Sequence, residues 1–153
     1  MRHTKITLLF LALLALAVSS CAKLQARDNL NKGVQAFKDT HYEKSVDYFK
    51  KAIELDPDLT SAELYLGTAY SQQFVPGGRG EDNDRNAKLA IQTFEDVLKH
   101  DSSNVNAVAG LAGIYQNTND FKKAHEYYLK YAQLDSTNPI PYYSIGSLDW
   151  WIV

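Results

Sequence analysis

Lys44-Ser45-Val46-Asp47-Tyr48-Phe49-Lys50-Lys51-Ala52-Ile53-Glu54-Leu55-Asp56-Pro57 is the stretch from which the fold is read. A small residue at 45 and an aromatic at 49 share one face of a helix, and Pro57 closes the run. The pattern returns at residues 89–101 (LAIQTFEDVLKHD) and 123–135 (KAHEYYLKYAQLD). Ser45, Ala90 and Ala124 lie 45 and 34 residues apart; Phe49, Phe94 and Tyr128 repeat those intervals, as do Asp56, Asp101 and Asp135. A second series of small residues, Gly33, Gly67, Ala112 and Gly146, has intervals of 34, 45 and 34. The period is 34, and one unit carries an insertion of 11 residues between Tyr70 and Ala90.

A helical period of that length resembles the tetratricopeptide repeat, whose pattern is W-x2-L-G-x2-Y, then A-x3-F, then P. Leu66, Gly67, Tyr70, Ala90 and Phe94 match it in the second unit, and Leu111, Ala112, Tyr115, Ala124 and Tyr128 in the third. The first unit keeps Gly33, Ser45, Phe49 and Pro57 but has Lys32 and Ala36 where Leu and Tyr are expected; Asn29, Glu63 and Val108 replace the tryptophan. The resemblance implies an all-α, right-handed superhelical solenoid of helix-turn-helix units. Its units fall at about 26–59, 60–104 and 105–138, with the first helix of a fourth at 139–153. It implies that Gly67 with Ala90, and Ala112 with Ala124, sit where paired helices cross, with Phe49, Phe94 and Tyr128 between units.

Expected helices are 24–38, 42–55, 61–73, 87–99, 105–117, 121–134 and 140–150. Thr40-x-x-Glu43 and Thr60-x-x-Glu63 read as capping boxes, Asn104 as an N-cap, and Asn138-Pro139 as an N-cap with proline at the first helical position. Residues 74–86, FVPGGRGEDNDRN, are rich in glycine and charge and predict a mobile surface loop. Gly77, Gly78 and Gly80 lack the Gly-Lys-Ser/Thr that holds a phosphate. Asp82, Asp84 and Asn86 begin like a calcium loop, but Ala87 stands in place of the turn glycine and Thr93 in place of the bidentate Glu.

Residues 1–20 read as an address. Arg2, His3 and Lys5 precede an apolar run from Ile6 to Val18, about the length of a signal-peptide core and short of the roughly 20 residues that span a bilayer. Val18-Ser19-Ser20-Cys21 resembles the lipobox of bacterial lipoproteins, which implies diacylglycerol on Cys21, cleavage before it, and residues 21–25 as a lipidated linker. A cleaved signal peptide with Cys21 incidental is the alternative. Ala22 stands where Asp would retain a lipoprotein at the inner membrane, which implies the outer membrane, facing the periplasm. Cleavage removes Arg2 and Lys5, leaving fourteen basic against eighteen acidic residues, a net charge of −4. That balance does not fit a nucleic-acid partner, and one cysteine excludes an internal disulfide.

At the other end Trp150-Trp151-Ile152-Val153 follows a helix that has no second helix to cover it. A chain cut short is the favoured reading, with a docked tail or a partner-binding tail as alternatives. His41, His100 and His125 fall in different units, and no HExxH, GxSxG or paired-carboxylate site occurs; the expectation is no enzyme, cofactor or metal. The resemblance implies a concave groove lined by first helices: Leu30, Val34 and Phe37; Leu64, Thr68 and Ser71; Ala109, Gly113, Gln116 and Asn117; Tyr143, Ser147 and Trp150. The Lys and Asn set with which some family members grip a C-terminal carboxylate is not supplied. The expected function is a membrane-anchored adaptor or scaffold in envelope assembly or secretion, binding an extended peptide or helix. A small-ligand carrier using the C-terminal aromatics is the alternative.

Overall fold

The computed structural model describes the backbone of residues 2–152 and the side chains of residues 20–151. Within those residues it is all helical: α1 Arg2–Lys38, α2 Tyr42–Leu55, α3 Thr60–Gln73, α4 Glu81–His100, α5 Val105–Asn117, α6 Phe121–Leu134 and α7 Ile140–Ile152. Each helix packs chiefly on its neighbours in sequence, while α1 also touches α3 and α3 touches α5. That is the contact pattern of a stack of helical hairpins.

The repeat is visible in the backbone as well as in the residues. Asp56, Asp101 and Asp135 follow α2, α4 and α6 with φ of −145°, −138° and −136°. Each carbonyl then accepts from the N–H three residues on, at Leu59, Asn104 and Asn138. The turns inside the first and third units match too. His41 N–H donates to Ala36 O and Thr40 N–H to Phe37 O, as Asp120 N–H does to Tyr115 O and Asn119 N–H to Gln116 O. Both are Schellman caps, with Thr40 (φ 61°) and Asn119 (φ 63°) in the left-handed position.

These turns correct both capping boxes. Thr40 closes α1 instead of opening α2, where His41 precedes the helix without a side-chain cap. Thr60 is the first residue of α3 behind Leu59, and its hydroxyl donates to Asp58 O at 3.4 Å. Asn104 caps α5, accepting from Ala107 N–H at 3.1 Å. Asn138 Oδ1 accepts from Ile140 N–H at 3.0 Å, and α7 starts at Ile140 as expected, so that Pro139 precedes the helix instead of opening it. Asp120 caps α6 through Lys123 N–H, unforeseen from sequence.

One apolar cluster runs through the stack from Val46 and Phe49 to Leu148. Gly33, Ser45, Phe49, Leu66, Gly67, Tyr70, Ala90, Phe94, Leu111, Ala112, Tyr115, Ala124 and Tyr128 are buried. Two of the glycines lie against rings. A Cβ on Gly33 would meet the Phe49 ring at 2.5 Å, and one on Gly67 would meet Phe94 at 2.9 Å. Phe94 also lies against Gly110 of the next unit, where a Cβ would meet it at 2.6 Å. Pro57 lies exposed in its turn, and Gly146 is exposed with nothing within 4 Å of a Cβ built on it, so Gly146 does no packing.

Nearly half of the expected loop at 74–86 is helix, which corrects that expectation. Residues 81–86 extend α4 at its start, leaving 74–80 as the connection. Glu81, Asp82 and Asp84 occupy the first turn, where negative charge complements the helix dipole. The short loop is tied down by one side chain. Asn83 Oδ1 accepts from Val75 N–H at 2.7 Å, and its Nδ2 donates to Val75 O and Gly78 O at 3.1 Å each. Residues 21–25, expected as a linker, are helical within α1. The side chains of residues 1–19, where most of the expected signal peptide falls, lie outside the described residues, as do those of Ile152 and Val153. No helix among the described residues is long and apolar enough to cross a membrane.

Candidate binding groove

Adjacent first helices leave a furrow between them, and here α3 and α5 form a cleft of about 490 Å³. From α3 it takes Leu64, Tyr65, Thr68, Ser71 and Gln72; from α5, Asn106, Ala109, Gly110, Gly113, Ile114 and Asn117. Both sets follow the three-and-four spacing of one helix face. Phe94 contributes from α4 below.

Two glycines on α5 do opposite things. Gly110 lets α5 settle against the Phe94 ring. Gly113 has nothing within 4 Å of where a Cβ would stand, so its missing side chain is open space in the cleft. The lining contains no Lys, Arg, Asp or Glu. Its polar groups are hydroxyls and amides. Thr68 is satisfied within its helix, its hydroxyl donating to Leu64 O at 2.8 Å. The Ser71 hydroxyl is buried without a hydrogen-bond partner in the protein, a cost that a bound donor or acceptor would remove.

Of the expected groove residues, Leu64, Thr68, Ser71, Ala109, Gly113 and Asn117 come together here. The others do not. Leu30, Val34 and Phe37 of α1 are half-buried against the core, Phe37 meeting the edge of Tyr42 at 5.3 Å. Gln116 is turned to its own hairpin, where its Oε1 accepts from the Tyr128 hydroxyl at 2.7 Å. Tyr143, Ser147 and Trp150 are exposed on α7, outside the cleft. Tyr65 was missed although it stacks on Phe49 at 5.5 Å across the unit boundary. Gln72, Asn106 and Ile114 were also missed; each lies one position beside or one turn beyond an expected residue.

Away from the cleft, Tyr115 stacks on Tyr127 at 5.6 Å and its hydroxyl donates to Glu95 Oε1 at 3.3 Å. Burial first, and the Glu95 charge second, push the Tyr115 phenol up to about 12. Burial likewise raises the Glu63 carboxyl on α3. Cys21 is exposed on α1 with a free thiol.

Residues 28–59 and 105–138 match the family model described as tetratricopeptide repeat. Those two segments carry the tetratricopeptide pattern. The matched segments are the first and third units; the second, whose insertion breaks the 34-residue spacing, is not matched. The Arabidopsis OM64 TPR domain superposes with a TM-score of 0.75 at 17% identity, over 86% of this chain and 99% of that one. The first TPR of Spaghetti (RPAP3), bound to the HSP90 peptide SRMEEVD, gives 0.74 at 15%, over 85% and 94%. The second TPR domain of human RPAP3, in complex with the HSP70 peptide SGPTIEEVD, gives 0.67 at 14%, over 86% and 98%. At such identities the likeness is one of fold. No curated protein matches the chain in sequence.

Proposed function

We propose that this chain is a membrane-tethered adaptor that holds a segment of another protein in the groove between α3 and α5, in envelope assembly or secretion. The observation that carries the reading is the groove itself: an open cleft of hydroxyls, amides and small apolar side chains, with space at Gly113 and an unpartnered hydroxyl at Ser71. Such a surface suits an extended, uncharged segment, whose backbone can hydrogen-bond to the side chains while its own small side chains enter the space. The peptides held by the two RPAP3 domains are rich in Glu and Asp. With no cation in the lining, an acidic tail has nothing to pair with here, so the proposed occupant differs from theirs.

Tethering rests on Val18-Ser19-Ser20-Cys21 after a short apolar run and on the exposure of Cys21. Acylation there places the adaptor on a membrane, by the lipoprotein pattern the outer one, facing the periplasm; two or more acyl chains anchor a protein stably.

Gly113→Trp tests the groove. The indole enters open space and leaves the core alone, so the variant keeps its helical signal while partners recovered by in-cell crosslinking are lost. A variant that folds and recovers the same partners removes the groove from the function. Cys21→Ser tests the tether separately: it should move the protein from the membrane to the soluble fraction, and unchanged membrane association would remove the lipid anchor.

A further inference from the structure

The insertion builds a second cleft at the end of the groove. Phe74 stands 34 residues after Thr40 and 45 before Asn119, where the first and third units have their left-handed turn residues. It is extended instead, with φ −81° and ψ 128°, and the chain runs on through 75–80 before α4 begins at Glu81. Between this segment and the turn joining α5 to α6 lies a cleft of about 520 Å³. Its apolar and aromatic side chains are Phe74, Ala87, Ile91 and Tyr115, and Asp84, Lys88 and Asn119 stand exposed around them. Gly77 forms part of the wall with nothing within 4 Å of where a Cβ would stand, so another backbone can come close there. The wall is preformed, because Asn83 holds Val75 and Gly78 with three hydrogen bonds. Both sides lie inside the stack, α4 packed on α3 and α5, and α5 on α4 and α6, so the opening owes nothing to either end of the chain.

Asn117 lines both clefts, so the groove runs on into this one. The part of α5 that lines the groove, from Asn106 to Asn117, spans about 17 Å, the length of about five extended residues. A longer segment passes Asn117 and reaches the apolar walls. We propose that the segment held between α3 and α5 continues past Asn117 and seats a large apolar side chain, aliphatic or aromatic, against Phe74, Ile91 and Tyr115. Apolar walls inside a polar rim have the form of a pocket for one dominant contact. The groove then takes small uncharged residues, and the second cleft fixes their register through one bulky side chain. This rests on the groove reading and adds to it the kind of residue that ends the recognised segment.

The test is in-cell photo-crosslinking of the full chain from a reactive side chain at Lys88, at Gln72 in the groove, or at Lys50 on α2, with the joined peptides mapped by mass spectrometry. The expected result is that positions 72 and 88 join one stretch of one partner, with a large apolar residue among those reached from 88, and that position 50 does not. Phe74→Ala should lower the adduct from 88 by at least ~10-fold, as truncation of a dominant contact does, and Phe74→Leu, which restores an apolar wall, should recover it. If the alanine variant loses its helical signal, the leucine variant and the mapping from 88 decide. An adduct from 72 with none from 88 would overturn the second cleft and leave the groove standing; no adduct from either would overturn both. Different partners at 72 and 88, no large apolar residue near the site reached from 88, or an adduct from 88 indifferent to Phe74→Ala in a folded variant would each overturn the proposal.

Discussion

Thr40 holds φ at 61° to close α1, although a β-branched side chain is poorly suited to the left-handed region. Asn119, at the matching place behind α5 with φ 63°, tolerates it far better. Thr40 is exposed and its backbone N–H is already bonded to Phe37 O. Thr40→Gly should therefore stabilise the protein by about 0.5–1 kcal/mol, read as a higher urea midpoint; a lower midpoint would mean the threonine side chain contributes something the turn needs. Tyr115 gives a pH dependence of known sign. Its phenol is raised to about 12 from 10.0, so between those values the folded chain binds more protons than the unfolded one. The stability it contributes is present in full below pH 10 and is lost as pH rises through 12. Thermal melts followed across that window should fall less steeply in Tyr115→Phe than in the parent; identical slopes would contradict the assignment. A residual slope from Tyr127, also raised by burial, is expected in both.

At the scale of the helix, glycine means different things by what it faces. Gly33→Ala places a methyl 2.5 Å from the ring of Phe49, which is fully buried and has nowhere to go; the expected cost is about 1–3 kcal/mol. Gly113→Ala meets nothing within 4 Å and should gain about 0.5–1 kcal/mol from the better helix former. Paired denaturation curves check both signs at once. The start of α4 makes a separate prediction. Asn83→Ala removes three hydrogen bonds to Val75 and Gly78, so amide exchange should quicken across 74–80, with a loss of about 1 kcal/mol in stability; unchanged exchange would mean the loop is held otherwise. Helices with an apolar period were legible in the sequence, and so was the cap at Asn104. The first two turns of α4 were not, because Glu81 to Asn86 carries no apolar stripe and is helical through end charges and Asn83. The capping boxes at Thr40 and Thr60 misled because Ser/Thr-x-x-Glu does not say whether the threonine opens one helix or closes the previous one.

For the whole molecule, the 34-residue period was enough to specify the stack, since each hairpin buries its face only against the next. The identical turns at Asp56, Asp101 and Asp135 are the backbone form of that arithmetic. The groove was half legible. Spacing on α3 and α5 brought out Leu64, Thr68, Ser71, Ala109, Gly113 and Asn117, but the same spacing on α1 led to core residues and on α7 to a face outside the cleft. Which face of a helix is free depends on what packs beside it, and a single helix's period does not contain that. The uncharged lining makes the central claim specific: another protein's segment lies between α3 and α5. The direct measurement is in-cell photo-crosslinking from a reactive side chain placed at Gln72 in the cleft, compared with one at Lys50 on α2. The expected result is a discrete partner adduct from position 72 that is absent from position 50 and lost when Gly113→Trp is added. Adducts equal at both positions, or an adduct from position 72 that survives Gly113→Trp, would contradict it.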